Sequence, residues 1–537
     1  MRKIYAVLLA VLSTSSVLAG GLVTNTNQSA SFIRNPSRGA SLEIDAAYFN
    51  PAGLVFLPDG FHFSVNNQTI TQERSIGTDL AILNRRDFIG SVSAPLFPSV
   101  YAVYKINNLA FSFGFMPIGG GGSAMYEEGL PSFESQVAVL PSGLSAAGIP
   151  TTRYGYDVEF DGSSVFWGIQ GVAAYKVNDR LSVSAGLRFI TVNNTYNGFL
   201  RHVAINPNQP AFGPLFNGNN MVQAPFFFTS AATVLTGWST GAATFATALN
   251  AHLVPHGSVL LANAGTLPAP FTLTPAQIAQ IQGLITAAGQ SPAGMTIAVA
   301  QGTLNAAAPV FSASAATMTA QAAATADREV NATQTGTGIA PIIGFTFKPI
   351  DHLVIGFKYE HKAAMTLTNE TVVDGTGMFP DGAETPSDMP SKFSLGVSYG
   401  VTPRLNISGT AHYYLDRSAN FGRRVSGALV ENTVIIDRNL WEGALGLEFM
   451  VSDRILLSAG YLTTQSGVND LYQTDLTHSL STHSLGGGVR YGLSENLKLN
   501  FGLMNTWYNA ATRNFGTFTE TYDRTAFVIA VGVDFSF

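Results

Sequence analysis

Runs in which apolar and polar residues alternate one by one recur along this chain. Short polar turns join them in pairs, and no other feature restricts the fold as much. The turns read Lys105-Ile106-Asn107-Asn108, Lys176-Val177-Asn178-Asp179-Arg180, Lys348-Pro349-Ile350-Asp351-His352, Val401-Thr402-Pro403-Arg404, Val451-Ser452-Asp453-Arg454 and Leu493-Ser494-Glu495-Asn496. At their other ends the alternating runs open into long, variable, polar or Gly-rich segments. Short turns on one side and long loops on the other are the pattern of an outer-membrane β-barrel. The last run is the cleanest. Phe527, Ile529, Val531, Val533, Phe535 and Phe537 share one face, and Ala526, Ala530, Gly532, Asp534 and Ser536 the other. The first set is expected to face lipid and the second the lumen.

Composition agrees with this reading. Of 537 residues 46% are hydrophobic and only 12% charged, against about 25% charged in soluble domains. Outside the N-terminus no apolar run reaches the roughly 18 residues that a helical span needs. A barrel reconciles low charge with short runs, because its lipid-facing residues are spaced by lumen-facing ones. One register per strand also puts each strand's charges on the lumen side, where a mid-membrane Arg or Lys avoids a cost of about 2–4 kcal/mol. The net charge of −6 argues against a nucleic-acid partner, and the absence of cysteine removes disulfide and thiolate chemistry. Residues 1–19 read as a signal peptide. Arg2 and Lys3 form its basic start, Ile4 to Leu12 its apolar core, and Val17-Leu18-Ala19 its cleavage site.

Six turns join twelve strands. A strand from about Gly60 to Glu73 and the final strand bring the count to fourteen, an all-β antiparallel barrel over residues 59–537. Residues 20–58 lack the alternating pattern and carry Arg34, Arg38, Glu43 and Asp45. A barrel this wide needs a filler, so the segment is read as a hatch folded into the lumen.

The segments Asn25-Thr26-Asn27-Gln28, Arg34-Asn35-Pro36-Ser37-Arg38 and Phe49-Asn50-Pro51-Ala52-Gly53-Leu54 carry a specific likeness. They resemble the N-terminal hatch of the long-chain fatty acid outer-membrane transporter family, which also includes aromatic-hydrocarbon channels. Asn50-Pro51-Ala52 is the family's most recognisable mark. The resemblance continues through Gly338 to Glu360, Met389 to Gly396 and Trp441 to Tyr461, and ends in the loops. It implies passive uptake of hydrophobic compounds, foremost long-chain fatty acids: capture on extracellular loops, transfer to a lumen pocket, then lateral release into the membrane. It also implies a third strand kinked inward near Pro117, Gly119 and Gly120, residues that tolerate a break in pairing. Release from the pocket would follow movement of the hatch around Gly20 to Asn27. The partners expected are the hydrophobic ligand, outer-membrane lipid and the barrel-assembly machinery, whose signal a terminal aromatic such as Phe537 resembles. The chain is expected to act as a monomer in the outer membrane of a Gram-negative cell. No cofactor or metal is expected.

An insert at about 201–328 holds no Asp, Glu, Lys or Arg from Val203 to Ala326. Thr274-Pro275 is a helix start, with Ile278, Ile281 and Ile285 on one face and Gly289 as the stop. Thr296 to Ala308 and Ala313 to Ala326 are expected to be further helical pieces. With Phe226, Phe227, Phe228 and Trp238, these isoleucines are expected to form an apolar capture surface, at roughly 0.8 kcal/mol per buried methylene. A fatty acid also presents a carboxylate, best met by a lumen cation. Arg188 and Lys358 are the preferred contacts among Arg188, Lys358, Arg490, Lys392 and Lys176; wall carboxylates Glu360, Glu442 and Glu448 are their alternative partners. No catalytic constellation accompanies His412, and His478 and His483 match no metal spacing, so an enzyme is not expected. An aromatic-hydrocarbon channel of the same fold and a non-specific porin are the alternative functions.

Overall fold

A computed structural model describes residues 29–537 apart from Ser426. The signal-peptide reading and the hatch segment Gly20 to Gln28 lie outside the described residues. Fourteen antiparallel strands form a closed barrel: β1 (Gly60–Thr78), β2 (Asp87–Ile106), β3 (Leu109–Tyr126), β4 (Tyr154–Lys176), β5 (Leu181–Ile205), β6 (Arg328–Ile350), β7 (Leu353–Glu360), β8 (Lys392–Thr402), β9 (Leu405–Tyr414), β10 (Trp441–Ser452), β11 (Ile455–Gln465), β12 (Thr482–Gly492), β13 (Leu497–Tyr508) and β14 (Thr519–Ser536). Short stretches Thr366–Asp374 and Ala511–Asn514 extend the sheet beyond β7 and β13. The first and last strands close the ring, pairing from His62 opposite Ser536 to Thr78 opposite Glu520. The count matches the reading from the turns. β1 runs five residues past the expected Glu73, and β3 continues through its glycines to Tyr126.

Period-two patterning builds the wall as expected. Along β14, Phe527, Ile529, Val531, Val533 and Phe535 are exposed, whereas Ala526, Val528 and Ala530 are buried. Along β5, Leu187 and Phe189 are exposed on either side of the buried Arg188. An outward apolar band on a closed ring of strands defines a membrane-spanning barrel of the outer-membrane type.

The lumen is filled by the chain's own leading segment. Helix α1 (Ala30–Arg34) is capped by Ser29, whose hydroxyl accepts from the Phe32 N–H at 3.0 Å. Helix α2 (Ala46–Phe49) and a 3-10 turn (Pro51–Phe56) follow, and nearly all of this segment is buried. Asn50 folds the hatch on itself. Its amide donates to the Ser41 carbonyl at 3.1 Å and its oxygen accepts from the Thr346 hydroxyl of the wall at 2.9 Å. Pro51 opens the 3-10 turn, and the Ala52 carbonyl accepts from the wall hydroxyl of Ser182 at 2.6 Å.

Wall glycines make the approach possible. A methyl group on Gly396 would collide with the Gly39 backbone, one on Gly446 with the Asn35 side chain, and one on Gly486 with the Ile33 carbonyl. In the run Gly486-Gly487-Gly488 the first and last members make room for the hatch, at the Ile33 carbonyl and the Arg34 side chain.

The insert, described by itself, folds as a helical unit comprising residues 136–157 and 201–327. It holds α4 (Ala224–His256), α5 (Pro275–Ala287) and α6 (Ile297–Ala324), numbered after α3 (Pro131–Ala146). Helix α5 begins at the expected cap, where Thr274 and Gln277 form a reciprocal capping box. Helix α4 was not anticipated, and the two pieces expected after Thr296 are one helix through Pro309. A proline removes one helical hydrogen bond. Here α4 packs along α6, with Trp238 edge-on to Phe311 at 5.5 Å, which keeps α6 continuous across that gap.

If close backbone approach holds the hatch, Gly396→Leu will loosen it while the barrel still folds. We expect steady ion conductance in planar bilayers from a variant that keeps the mobility of a folded barrel on unheated gels. A folded Gly396→Leu protein that remains as closed as the wild type would refute this.

Candidate ligand-binding site

Two hatch arginines tie the leading segment to the wall and to itself. Arg34 donates to Glu448 at 2.6 Å and to Asn500 at 3.3 Å, so a wall carboxylate is spent on the hatch. Arg38 holds Asp45 through Nε and a terminal nitrogen, both at 2.7 Å, and Glu43 at 2.6 Å. Arg490, a candidate for the ligand, pairs with Glu43. Charges removed from water in this way need complete partners. The network supplies them and ties the hatch to the wall.

The two preferred cations both face the lumen and converge on one carboxylate. Arg188 reaches Glu360 at 2.6 Å and the Gln170 oxygen at 2.9 and 2.6 Å. Lys358 lies 2.6 Å from Glu360 and donates to the Tyr48 carbonyl of the hatch at 2.5 Å. Lys392 is the third member, 3.1 Å from the same carboxylate. All three cations stand over the Tyr48 ring, at 4.9, 4.5 and 5.4 Å from its centroid. Three cations thus share one acid, and a hatch aromatic caps the group. Of the other candidates, Lys176 pairs with Asp179 in its own turn. Glu442 accepts from the Tyr414 and Thr464 hydroxyls, at 2.7 and 2.9 Å. His412 is hydrogen-bonded to Ser394 at 2.8 Å, which leaves it a lining residue.

The wall itself is interrupted beside the lumen. β2 and β3 pair from Ile106 opposite Leu109 to Val100 opposite Phe115, and again only at Val92 opposite Ala124 and Ser91 opposite Met125. Between these points β3 leaves β2 but stays bonded to β4, with irregularities at Pro117/Gly119 and Gly120/Gly122. Gly120 has φ +85°, and a side chain there would meet the Ser164 carbonyl, so glycine is required. On the opposite edge the bulge at Pro95 is held by Asn67 and Thr69, at 3.2 and 3.0 Å. Pro117, Gly119 and Gly120 therefore lie along an unpaired stretch of wall.

A cavity of about 340 Å³ lies inside the barrel and reaches this stretch, since Gly120, Ser163 and Ser164 line it. Its walls mix apolar side chains (Ile70, Leu130, Phe160, Leu462, Leu480, Val528) with Ser and Thr hydroxyls and two arginines, Arg74 and Arg524. Sequence reasoning missed both. The reading of β1 stopped at Glu73 and that of β14 began at Ala526, although carrying the same alternation outward puts Arg74 and Arg524 on the lumen face. His478, in the loop before β12, offers Nε2 to Arg524 at 3.4 Å. Burial, then the nearby Arg524 and Arg74, holds its imidazole well below the usual value and keeps it neutral.

The expected capture residues are distributed unevenly. Phe227, Phe228, Ile281 and Ile285 are buried, and Phe227 packs edge-on against Phe216 at 5.0 Å within the insert. They are core, which corrects their reading as an open surface. Trp238 and Ile278 are half-buried, and Phe226 alone of the seven is well exposed. A charge-free loop has to hide its own large apolar side chains first.

No family model matches the sequence and no curated protein does. Among solved structures the fold is shared with a FadL homologue from Pseudomonas aeruginosa, at 14% identity over 97% of this chain and 100% of that one, with a TM-score of 0.55. It is also shared with the toluene transporter TodX of Pseudomonas putida, at 13% identity over 96% of this chain and 100% of that one, with a TM-score of 0.50. At such identities the likeness is one of fold. It is the fold expected from the resemblance in the hatch: a plugged fourteen-stranded barrel.

Removing the shared acid should expose the strain of the cation group. Glu360→Gln leaves three buried cations without their common partner, a loss on the order of 3 kcal/mol. A urea-unfolding midpoint in detergent unchanged from wild type would show that water or ions already screen the group.

Proposed function

We propose that this protein is a passive outer-membrane channel for hydrophobic compounds, most of all long-chain fatty acids. The ligand is captured on the extracellular loops, enters the lumen cavity and leaves sideways between β2 and β3. One observation carries the reading: the axial path is filled by the hatch, while the wall beside the cavity lacks its hydrogen bonds from Val92 to Val100 on β2. A porin needs the reverse, an open axis and an intact wall. An apolar solute leaving through the side avoids water, whose entry would cost it the hydrophobic transfer energy. The fold shared with a FadL homologue and with a toluene transporter supports a hydrophobic cargo.

The choice of fatty acid over neutral hydrocarbon rests on the cations. Arg188, Lys358 and Lys392 exceed their one shared acid, an arrangement that favours a carboxylate once the hatch uncovers it. Tyr48 supplies both the covering ring and the carbonyl that Lys358 holds, so movement of α2 would free Lys358 first. A hydrocarbon gains nothing from such a group.

The test is growth on oleate of a Gram-negative host that lacks its own long-chain fatty acid channel. The wild-type protein should restore growth, and the Arg188→Gln/Lys358→Gln double variant should restore it several-fold less well at equal surface expression. Equal growth would remove these residues from the ligand path. Failure of the wild type on oleate, with faster toluene entry instead, would favour the aromatic-hydrocarbon alternative.

A further inference from the structure

Arg74 and Arg524 lie opposite each other in the register of β1 and β14, on the same lumen face. Directly opposed side chains of like charge repel, so the pairing weakens the strand junction that closes the barrel. Structural arginines are normally compensated, as Arg34, Arg38 and Arg188 are here. This pair is not. Among the described residues neither has a carboxylate within ion-pair distance, and the Nε of each, buried, has no hydrogen-bond partner. Their neighbours are neutral: Tyr126 beside Arg74, the Tyr508 ring 5.1 Å below the Arg524 guanidinium, and the His478 ring nitrogen. Glu442, the one carboxylate lining the cavity, is engaged by two hydroxyls.

We infer that Arg74 and Arg524 form an anion subsite that binds the carboxylate of an apolar-tailed ligand in the cavity, ahead of the Arg188–Lys358–Lys392 group. Two guanidinium groups side by side present forked donors to an oxyanion, the geometry arginine serves best. Ile70, Leu130, Phe160, Leu462, Leu480 and Val528 offer apolar surface among the hydroxyls that also line the cavity, which extends to Gly120, so a tail held by its head at Arg74 and Arg524 can run toward the unpaired stretch of wall. At about 340 Å³ the cavity falls within the range of small-molecule sites. The inference rests on the channel reading and narrows its cargo to acids.

The experiment compares oleate, oleyl alcohol and inorganic phosphate as ligands for the full protein in a non-ionic detergent, by calorimetry. Arg74→Gln/Arg524→Gln should lower oleate affinity at least tenfold and leave oleyl alcohol, with the same tail and no charge, unchanged. Arg524→Lys should lose less, because it keeps the charge without the fork. The thermal midpoint of the double variant should stay level or rise, since repulsion has been removed. Phosphate binding that competes with oleate in the wild type and vanishes in the double variant would show that the head group alone is recognised and supports the subsite. Undiminished oleate affinity, or equal losses for acid and alcohol, would overturn it while leaving the channel reading intact. A wild-type protein that binds neither oleate nor oleyl alcohol would instead count against the channel reading.

Discussion

The packing of the hatch against the wall is the interaction on which the rest depends. A fourteen-stranded ring encloses more space than its own side chains fill, so the leading segment must occupy it without leaving buried charges or amides alone. The chain meets this with two devices. Wall residues facing the hatch shrink to glycine where backbones meet, as at Gly396 against Gly39. The hatch charges are matched by wall groups, Arg34 with Glu448 and Glu43 with Arg490. The same contacts that close the axis position Tyr48 over the lumen cations, so plug and cation group are one construction.

Closing the axis gives the break in the wall its meaning. In an open pore a missing stretch of ladder between β2 and β3 would be a local defect. In a plugged barrel it is the exit that the proposed function uses. The backbone commits to the break: Gly120 occupies a conformation that a side chain would prevent, and the Pro95 bulge on the facing strand has its own hydrogen bonds. A gap fixed from both edges is built into the fold and does not depend on a ligand to force it.

Much of this architecture is written in the period-two pattern, because lipid and lumen impose opposite demands on successive residues. Strand number, closure and the lumen side of Arg188 and Lys358 all follow from it. The hatch could be read from Asn50-Pro51-Ala52 and from the lack of alternation before Gly60. Other features were hidden for physical reasons. Arg74 and Arg524 lie just outside the strand bounds read from the alternation, Glu73 and Ala526, although both belong to the paired strands. Helix α4 escaped notice because Ala, Thr and Gly give it little amphipathic contrast, and its packing against α6 is a tertiary fact. Phe227 and Phe228 looked like a sticky surface because sequence shows that a residue is apolar without showing what covers it.

The two cation groups differ in a way that orders them. Arg188, Lys358 and Lys392 already have Glu360 and the Tyr48 carbonyl, so a ligand head must displace existing partners and the hatch to reach them. Arg74 and Arg524 have no carboxylate partner among the described residues, and the Nε of each is unpaired, so an anion gains there without displacing an acid. Desolvated charge is costly until it is paired. A head group would therefore settle first on the unpartnered arginines, where binding relieves repulsion, and move on only as the hatch yields the compensated group. The order of the two stations is thus set by which cations lack an acid and which already hold one.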